Sequence, residues 1–178
     1  MAEPVMLANT SMMCKEDWLL LRKNGIGGSD ASAILGLNPY KSILEVYMDK
    51  ITPVITKEDL RQTESQYWGT ILEDVVANEF SNRTGLEVVR CNYMLQHPRY
   101  PFMIADLDRI VTDENVGLEC KTASEYKAGD WEDGVPDYYF AQVQHYMAVT
   151  GYDGFYVAVL IGGNKFRYFY VERDEEYI

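Results

Sequence analysis

Cysteine, histidine and positive charge are all scarce in this chain. Its 178 residues hold three cysteines, Cys14, Cys91 and Cys120, with no C-x-x-C pair. That spacing excludes a disulfide framework, and a zinc or iron–sulfur centre built from cysteines alone. Reduced, mostly buried thiols are the expectation. The two histidines, His97 and His145, do not form a metal-ligand spacing and read as structural. No apolar run is long enough to span a membrane, and no charged-then-apolar leader opens the chain, so a cytoplasmic protein with no membrane partner is expected. There are 16 Lys and Arg against 28 Asp and Glu, a formal charge of −12. A basic excess is the usual mark of nucleic-acid binders, so this balance argues against non-specific coating of DNA. It still permits a local basic groove, because charges beyond a Debye length of about 8 Å are screened.

What is present fits a globular chain. Hydrophobic residues make up 47% and aromatics 13%, with 14 tyrosines, enough for one domain over 1–178 with a sizeable core. Residues 1–10 read as a loose arm. Helices are predicted over Lys15–Lys23, Asp30–Leu35 (with Ser29 as N-cap), Ser42–Lys50 and Ser65–Arg83, the last with an apolar face of Ile71, Leu72, Val75, Val76 and Phe80. Strands are predicted over Leu86–Arg90 and Tyr93–Gln96, then a hairpin, a long loop from Thr122 to Pro136, a helix Tyr138–Val149, and two strands Phe155–Leu160 and Phe166–Val171 around Gly162-Gly163. This order indicates an α/β fold, a mixed central sheet with helices on both faces. The last residues, Glu172 to Ile178, look like the opening of a helix cut short, which predicts a longer natural chain.

The hairpin carries the chemistry. Strands Phe102–Val111 and Val116–Lys121 flank the polar turn Asp113-Glu114-Asn115. Alternation puts Asp106 and Asp108 on one face of the first strand, and Glu119 and Lys121 on one face of the second. Folding symmetrically about Asp113 and Glu114 places Asp108 opposite Glu119. Like charges so placed are costly, and a divalent cation with oxygen ligands is the usual remedy. Acids on a strand are most often just a solvated face. Here the pattern of apolar run, Asp, turn, apolar residue, Glu-x-Lys also suits two acids that hold Mg²⁺ on a scissile phosphate beside a lysine that orients water or stabilises charge.

Four further features accompany it. Glu73 sits among apolar residues on the long helix, where a lone Glu is ordinarily solvent-facing. Gln142 and Tyr146 share a face of a later helix, which a simple polar stripe would also explain. Gly27-Gly28-Ser29 opens a helix and offers N–H groups and a hydroxyl to an anion. Arg22 can add a bidentate phosphate contact.

Together these resemble a family. The order Glu, Asp, Glu-x-Lys, Gln is that of PD-(D/E)XK nucleases, whose fold is the restriction-endonuclease-like mixed sheet. The chain looks most like the YqaJ-type viral recombinase and phage lambda exonuclease group through Trp18–Ser29, Trp68–Asp74, Ala105–Val111, Leu118–Thr122 and Ala141–Met147, in family order. The resemblance implies a Mg²⁺-dependent (or Mn²⁺-dependent) 5′→3′ exonuclease that resects double-stranded DNA ends for a single-strand annealing protein, in a phage- or prophage-encoded system of a bacterial cytoplasm. It implies metal ligation by Asp108, Glu119, the Cys120 carbonyl and Glu73, catalysis by Lys121, active-site positioning by Gln142, and 5′-phosphate binding by Arg22 and Ser29. It also implies a toroidal trimer. Where the family has Ser/Thr-Pro-Asp-Gly, this chain has Asp106-Leu107-Asp108-Arg109, which leaves Asp106 as an alternative second ligand. A related endonuclease, a non-catalytic DNA-end or annealing-protein binding module, and a merely acidic structural protein stay open alongside the exonuclease.

Overall fold

A computed structural model of the chain describes residues 3–52 and 54–178. Four helices come first after a short strand: β1 (Val5–Asn9), α1 (Lys15–Lys23), α2 (Gly28–Ile34), α3 (Ile43–Ile51) and α4 (Glu64–Thr84). Then follow β2 (Val88–Arg90), β3 (Tyr93–Gln96), β4 (Ile104–Asp106), β5 (Arg109–Val111) and β6 (Val116–Ala123). A 3₁₀ helix over Glu125–Trp131, α5 (Asp137–Thr150), β7 (Gly154–Ile161) and β8 (Lys165–Glu172) complete the order. Local chemistry accounts for most of the boundaries. Ser42 and Thr63 accept from the backbone N–H three residues on and so cap α3 and α4. Gly85 and Gly151, at φ 76° and 77°, end α4 and α5 in the left-handed conformation that glycine adopts without strain.

Five strands form the principal sheet in the order β2-β5-β6-β7-β8, and a smaller sheet has the order β1-β3-β4. Among the paired strands of the described residues only β6–β7 is parallel, and α5 makes its crossover. The sheet is packed on both faces. On one, Val143 and Met147 of α5 meet Phe155, Val157 and Val159 of β7. On the other, Val76, Ala77 and Phe80 of α4 meet Leu118 and Ala158. The expected mixed sheet flanked by helices is therefore the observed architecture.

Several expectations change. The loose arm is instead β1, an antiparallel partner of β3 with an irregularity between Met6 and Ala8; its partner lies some ninety residues away, beyond any local signal. Ser29 is not the N-cap of α2. Gly27 is, and the Asp30 carboxylate accepts from its N–H at 3.1 Å. The long loop is shorter, because β6 runs to Ala123 and Trp131 at the end of the 3₁₀ helix is fully buried. Ile71 and Val75 of α4 are half exposed and Leu72 partly buried, so of the predicted apolar face only Val76 and Phe80 are fully covered. Cys14 is exposed, and Cys91 and Cys120 are partly buried.

The most consequential change is in the hairpin. The single strand Phe102–Val111 is two, β4 on the small sheet and β5 on the large one, with Leu107 and Asp108 between. β4 pairs with β3 and β5 with β2, so the chain exchanges partners at this point. Ala105 and Leu107 both enter the core under α5, whereas Arg109, directly across from Leu118, shares the α4 face. Alternation thus slips by one residue at Asp108, and no common strand face joins it to Asp106.

Candidate active site

The β5–β6 ladder pairs Arg109 with Leu118 and Ile110 with Gly117, a register that carried one step further sets Asp108 across from Glu119. Asp113 makes the turn at φ 62°, a conformation that Asp tolerates better than most residues. Asp108 has left the ladder, and its Oδ2 accepts from the Cys120 N–H at 2.8 Å. Because Leu118 and Cys120 pack toward α4, Glu119 and Lys121 point to the α5 face. There Lys121 Nζ and Gln142 Nε2 both donate to Glu119 Oε1 at 2.6 Å. Gln142 Nε2 also lies 3.0 Å from the Tyr146 hydroxyl, so α5 holds Glu119 from above.

Glu73 approaches from α4 but is bonded to Arg109, whose guanidinium also donates to Asp74 Oδ1 and to the Asp108 carbonyl at 2.6 Å. That guanidinium is only 4% exposed. It joins helix, strand break and acid loop in one network, and Arg90 adds a second bond to Asp74 at 2.6 Å. Asp106 is occupied differently: the Trp18 indole N–H donates to it at 2.8 Å, pinning α1 to β4.

Charge at this site is unbalanced. Burial, then the facing Glu119, raise the Asp108 carboxyl well above the ordinary range. Burial also raises Glu119, against the opposing pull of Lys121 and Gln142. Burial alone would depress the Lys121 ammonium, but Glu119, Tyr139 and Asp108 together raise it, so it stays charged. One ammonium thus faces two carboxylates. Moreover Glu119 Oε2 is buried without a hydrogen-bond partner among the described residues, an arrangement that is costly unless something fills it. The residues fit a hard divalent cation held by Asp108 and Glu119. Among the described residues no group of three or more His, Cys, Asp or Glu side chains forms a ready cage. Mg²⁺ needs none, since one or two carboxylates with substrate phosphates and water are its common setting.

Beside this pair lies a cleft of about 310 Å³ bordered by Arg22, Gly27, Gly28, Ser29, Asp108 and Lys121. Arg22 and Ser29 meet at 3.1 Å. Their loop is stitched to β4 by Ile26, which donates to Phe102 O at 2.6 Å and accepts from Ile104 N at 2.9 Å. Gly28 rests directly on α5: a Cβ there would stand 2.7 Å from Gln142 Cγ and 2.8 Å from Tyr146 Cε1. Only glycine brings the first turn of α2, with Ser29, this close to the residue that holds Glu119. A wider cleft of about 1020 Å³ continues past Glu73 and Glu119. Lys15, Arg22, Arg61, Lys121 and Lys127 border it against four acids, Asp59, Glu73, Asp108 and Glu119. Cations are therefore concentrated here in a chain that is acidic overall.

Residues 17–153 match the model of the YqaJ-like viral recombinase domain. The chain belongs to that family. It is 49% identical over 175 residues to the uncharacterized protein YqaJ of Bacillus subtilis (strain 168), a match over 97% of this chain and 54% of that protein. The chain thus spans about half the length of the curated relative it matches. A shorter likeness, 38% over 58 residues, reaches protein D345L of African swine fever virus, covering 33% of this chain and 16% of that one. Among solved structures, the alkaline exonuclease LHK-Exo of Laribacter hongkongensis superposes with a TM-score of 0.73 at 19% identity, covering 91% of this chain and 84% of that one. A phage-related exonuclease of Haemophilus somnus 129PT superposes with a TM-score of 0.61 at 12% identity, covering 86% of each. At those identities the likeness is one of fold.

The geometry of this YqaJ-type chain brings Asp108, Glu119, Lys121 and Gln142 together, with Arg22 and Ser29 on the adjoining cleft and Glu73 on the wider cleft, bonded to Arg109. Arg109 and Asp30 were missed from sequence. Asp30 has no exposed surface and lies 2.8 Å from both Lys41 and Lys50. Those lysines lower its carboxyl to about 2 despite burial, the largest opposing influence. Lys50 also donates to the Arg22 carbonyl at 2.9 Å, so the ion network braces the segment between Arg22 and Ser29 from behind. An Asp directly after the Gly-Gly-Ser loop was the available signal.

Proposed function

We propose that this chain is the nuclease domain of a metal-dependent 5′→3′ exonuclease that resects double-stranded DNA ends. The observation that carries the reading is the paired, buried Asp108 and Glu119 beside Lys121, with Glu119 Oε2 unpartnered among the described residues. Asp108 and Glu119 would hold Mg²⁺, with Mn²⁺ as the alternative, aided by the Cys120 carbonyl and by Glu73 once it exchanges Arg109 for the site. The bound ion supplies charge neutralisation at the phosphate and a water of lowered pKa. Lys121, charged at neutral pH, donates toward the phosphoryl oxygen where negative charge develops. Gln142 fixes the Glu119 carboxylate so that both partners keep their alignment. Arg22 and Ser29 grip the terminal 5′-phosphate and set the distance to the scissile bond.

The strand polarity, the metal and the roles of these residues are what the family resemblance implies, and the paired buried carboxylates beside Lys121 support the metal. The resemblance also implies the partners: duplex DNA ends, a single-strand annealing protein that receives the resected strand, and further copies of the chain in a ring, a trimer. The setting is the cytoplasm of a bacterium carrying the phage or prophage. The test is digestion of linear duplex labelled at the 5′ or the 3′ end, with Mg²⁺ or EDTA, by wild type and Lys121→Ala. Early metal-dependent release of the 5′ label, abolished by Lys121→Ala, is expected. Early 3′ release would reverse the polarity, cutting of circular DNA in a parallel reaction would make the enzyme an endonuclease, and no cleavage with Mg²⁺ or with Mn²⁺ in its place would refute catalysis.

A further inference from the structure

Between Arg22 and Lys121 the smaller cleft has an aromatic side. Tyr138 and Tyr139 open α5 with ring centroids 4.3 Å apart, and Tyr40, from the α2–α3 connection, meets Tyr138 edge-on at 6.0 Å. The same three rings also border the wider cleft, as do Arg22, Asp108 and Lys121, so they line the space that joins Arg22 to the carboxylates. Most aromatic rings on the smaller cleft are already engaged. Trp18 gives its N–H to Asp106, and Lys15 and Arg22 lie over its ring at 4.3 and 4.7 Å. Tyr139 carries Lys121 at 4.6 Å and packs on Trp131 at 5.5 Å. Tyr146 is buried against Gln142.

Tyr40 and Tyr138 remain. Tyr40 is 66% exposed, Tyr138 is half-buried, and neither belongs to a hydrophobic core cluster. Two large rings on a polar cleft, packed on neighbouring tyrosines and outside the hydrophobic core, suit a planar ligand. A cleft of about 310 Å³ has room for one nucleotide, at the lower end of small-ligand cavities.

Resting on the reading of Arg22 and Ser29 as 5′-phosphate contacts, we infer that Tyr40 and Tyr138 form a stacking site for the base of the 5′-terminal nucleotide. The phosphate lies on Arg22 and Ser29, the base on the tyrosines, and the next phosphodiester reaches Asp108 and Glu119. Every base has a π-face, so the site accepts all four, and stacking of this kind strengthens binding by about 5- to 150-fold. A base held there has left its partner. The enzyme therefore takes frayed or mismatched ends, which cost less to unpair, in preference to clamped G·C ends.

The experiment uses 5′-phosphorylated duplexes carrying 2-aminopurine, a base that darkens when stacked, at the 5′-terminal position or about ten nucleotides inward. Fluorescence is read on titration with the full chain in EDTA. Wild type is expected to quench the terminal probe and leave the internal one unchanged. Tyr40→Leu and Tyr138→Leu should each weaken that quench and the end affinity by about 5-fold or more, and Tyr138→Phe should retain both. Because Tyr40 is largely exposed, its variant stays informative should Tyr138→Leu not fold. An unchanged or brightened terminal probe with wild type, or full quenching by both leucine variants, overturns the stacking site. Cleavage is not read in EDTA, so failure of the exonuclease reading, seen as no 5′-label release with Mg²⁺, is a separate result.

Discussion

Arg109 offers the sharpest quantitative test, because one guanidinium joins α4, β5 and the acid-bearing break. Arg109→Met keeps the aliphatic volume and removes three contacts, to Glu73, to Asp74 and to the Asp108 carbonyl. A hydrogen bond to a buried charged group contributes about 1.5–3 kcal/mol. The Glu73 carboxylate is 24% exposed and keeps most of that value, whereas Asp74 is 60% exposed and still held by Arg90, so its share falls to about 0–1 kcal/mol. The sum, with the carbonyl left unpaired, is about 3 kcal/mol, at the lower end of the cost of breaking a buried pair. For a chain of this length that is a fall of about 6–12 °C in Tm. Thermal unfolding followed by circular dichroism in EDTA at pH 7 measures it. The companion Glu73→Gln, alone and combined with Arg109→Met, gives the coupling between the two side chains. A fall below 2 °C for Arg109→Met, or strict additivity with Glu73→Gln, would refute the claim that this guanidinium organises the site.

The remaining expectations concern the two acid sites and the glycine contact. Asp108 has a raised carboxyl, so in the metal-free protein its ionised form opposes folding at neutral pH, and this penalty fades as pH falls to the ordinary carboxylate range near 4. Asp108→Asn is accordingly expected to raise Tm in EDTA at pH 8, with the gain gone by about pH 4; a lower Tm at pH 8 would reverse the argument. Asp30 is the opposite case. Its carboxyl is lowered to about 2, so its contribution is full above about pH 4 and lost as pH falls toward 2. Asp30→Asn should destabilise at pH 7 by about 2–3 kcal/mol, with the gap from wild type closing in acid, and a constant gap across urea melts at pH 7 to 2.5 would contradict it. Gly28→Ala forces a Cβ to within 2.7 Å of Gln142 and is expected to cost about 1–3 kcal/mol. It should also weaken the preference for 5′-phosphorylated over hydroxyl ends, measured as a ratio of initial rates, and an unchanged ratio with unchanged Tm would show that the loop has room.

The sequence by itself determined whatever depends on near neighbours. Cap residues, apolar periodicity and glycine stops located the helices, because those signals act within a turn or two of the chain. The hairpin register was legible as well: a polar turn at Asp113-Glu114 fixes which residues face each other, and Arg109 does pair with Leu118 and Ile110 with Gly117. Gln142 on the crossover helix and Arg22 near Ser29 could also be named in advance. What the tertiary structure alone decided rests on contacts between distant segments. The exchange of partners at Leu107-Asp108 depends on β2 and β3 belonging to different sheets, and it overturned the shared face of Asp106 and Asp108. Trp18 reaches Asp106 across 88 residues and Arg109 reaches Glu73 across 36, while Asp30 is buried and ion-paired to Lys41 and Lys50 of later segments. Alternation and turn chemistry assign an acid to a face. Whether that acid meets a cation, an indole or another acid is set by which surfaces the fold brings together, and for buried charge that choice decides between bracing and chemistry.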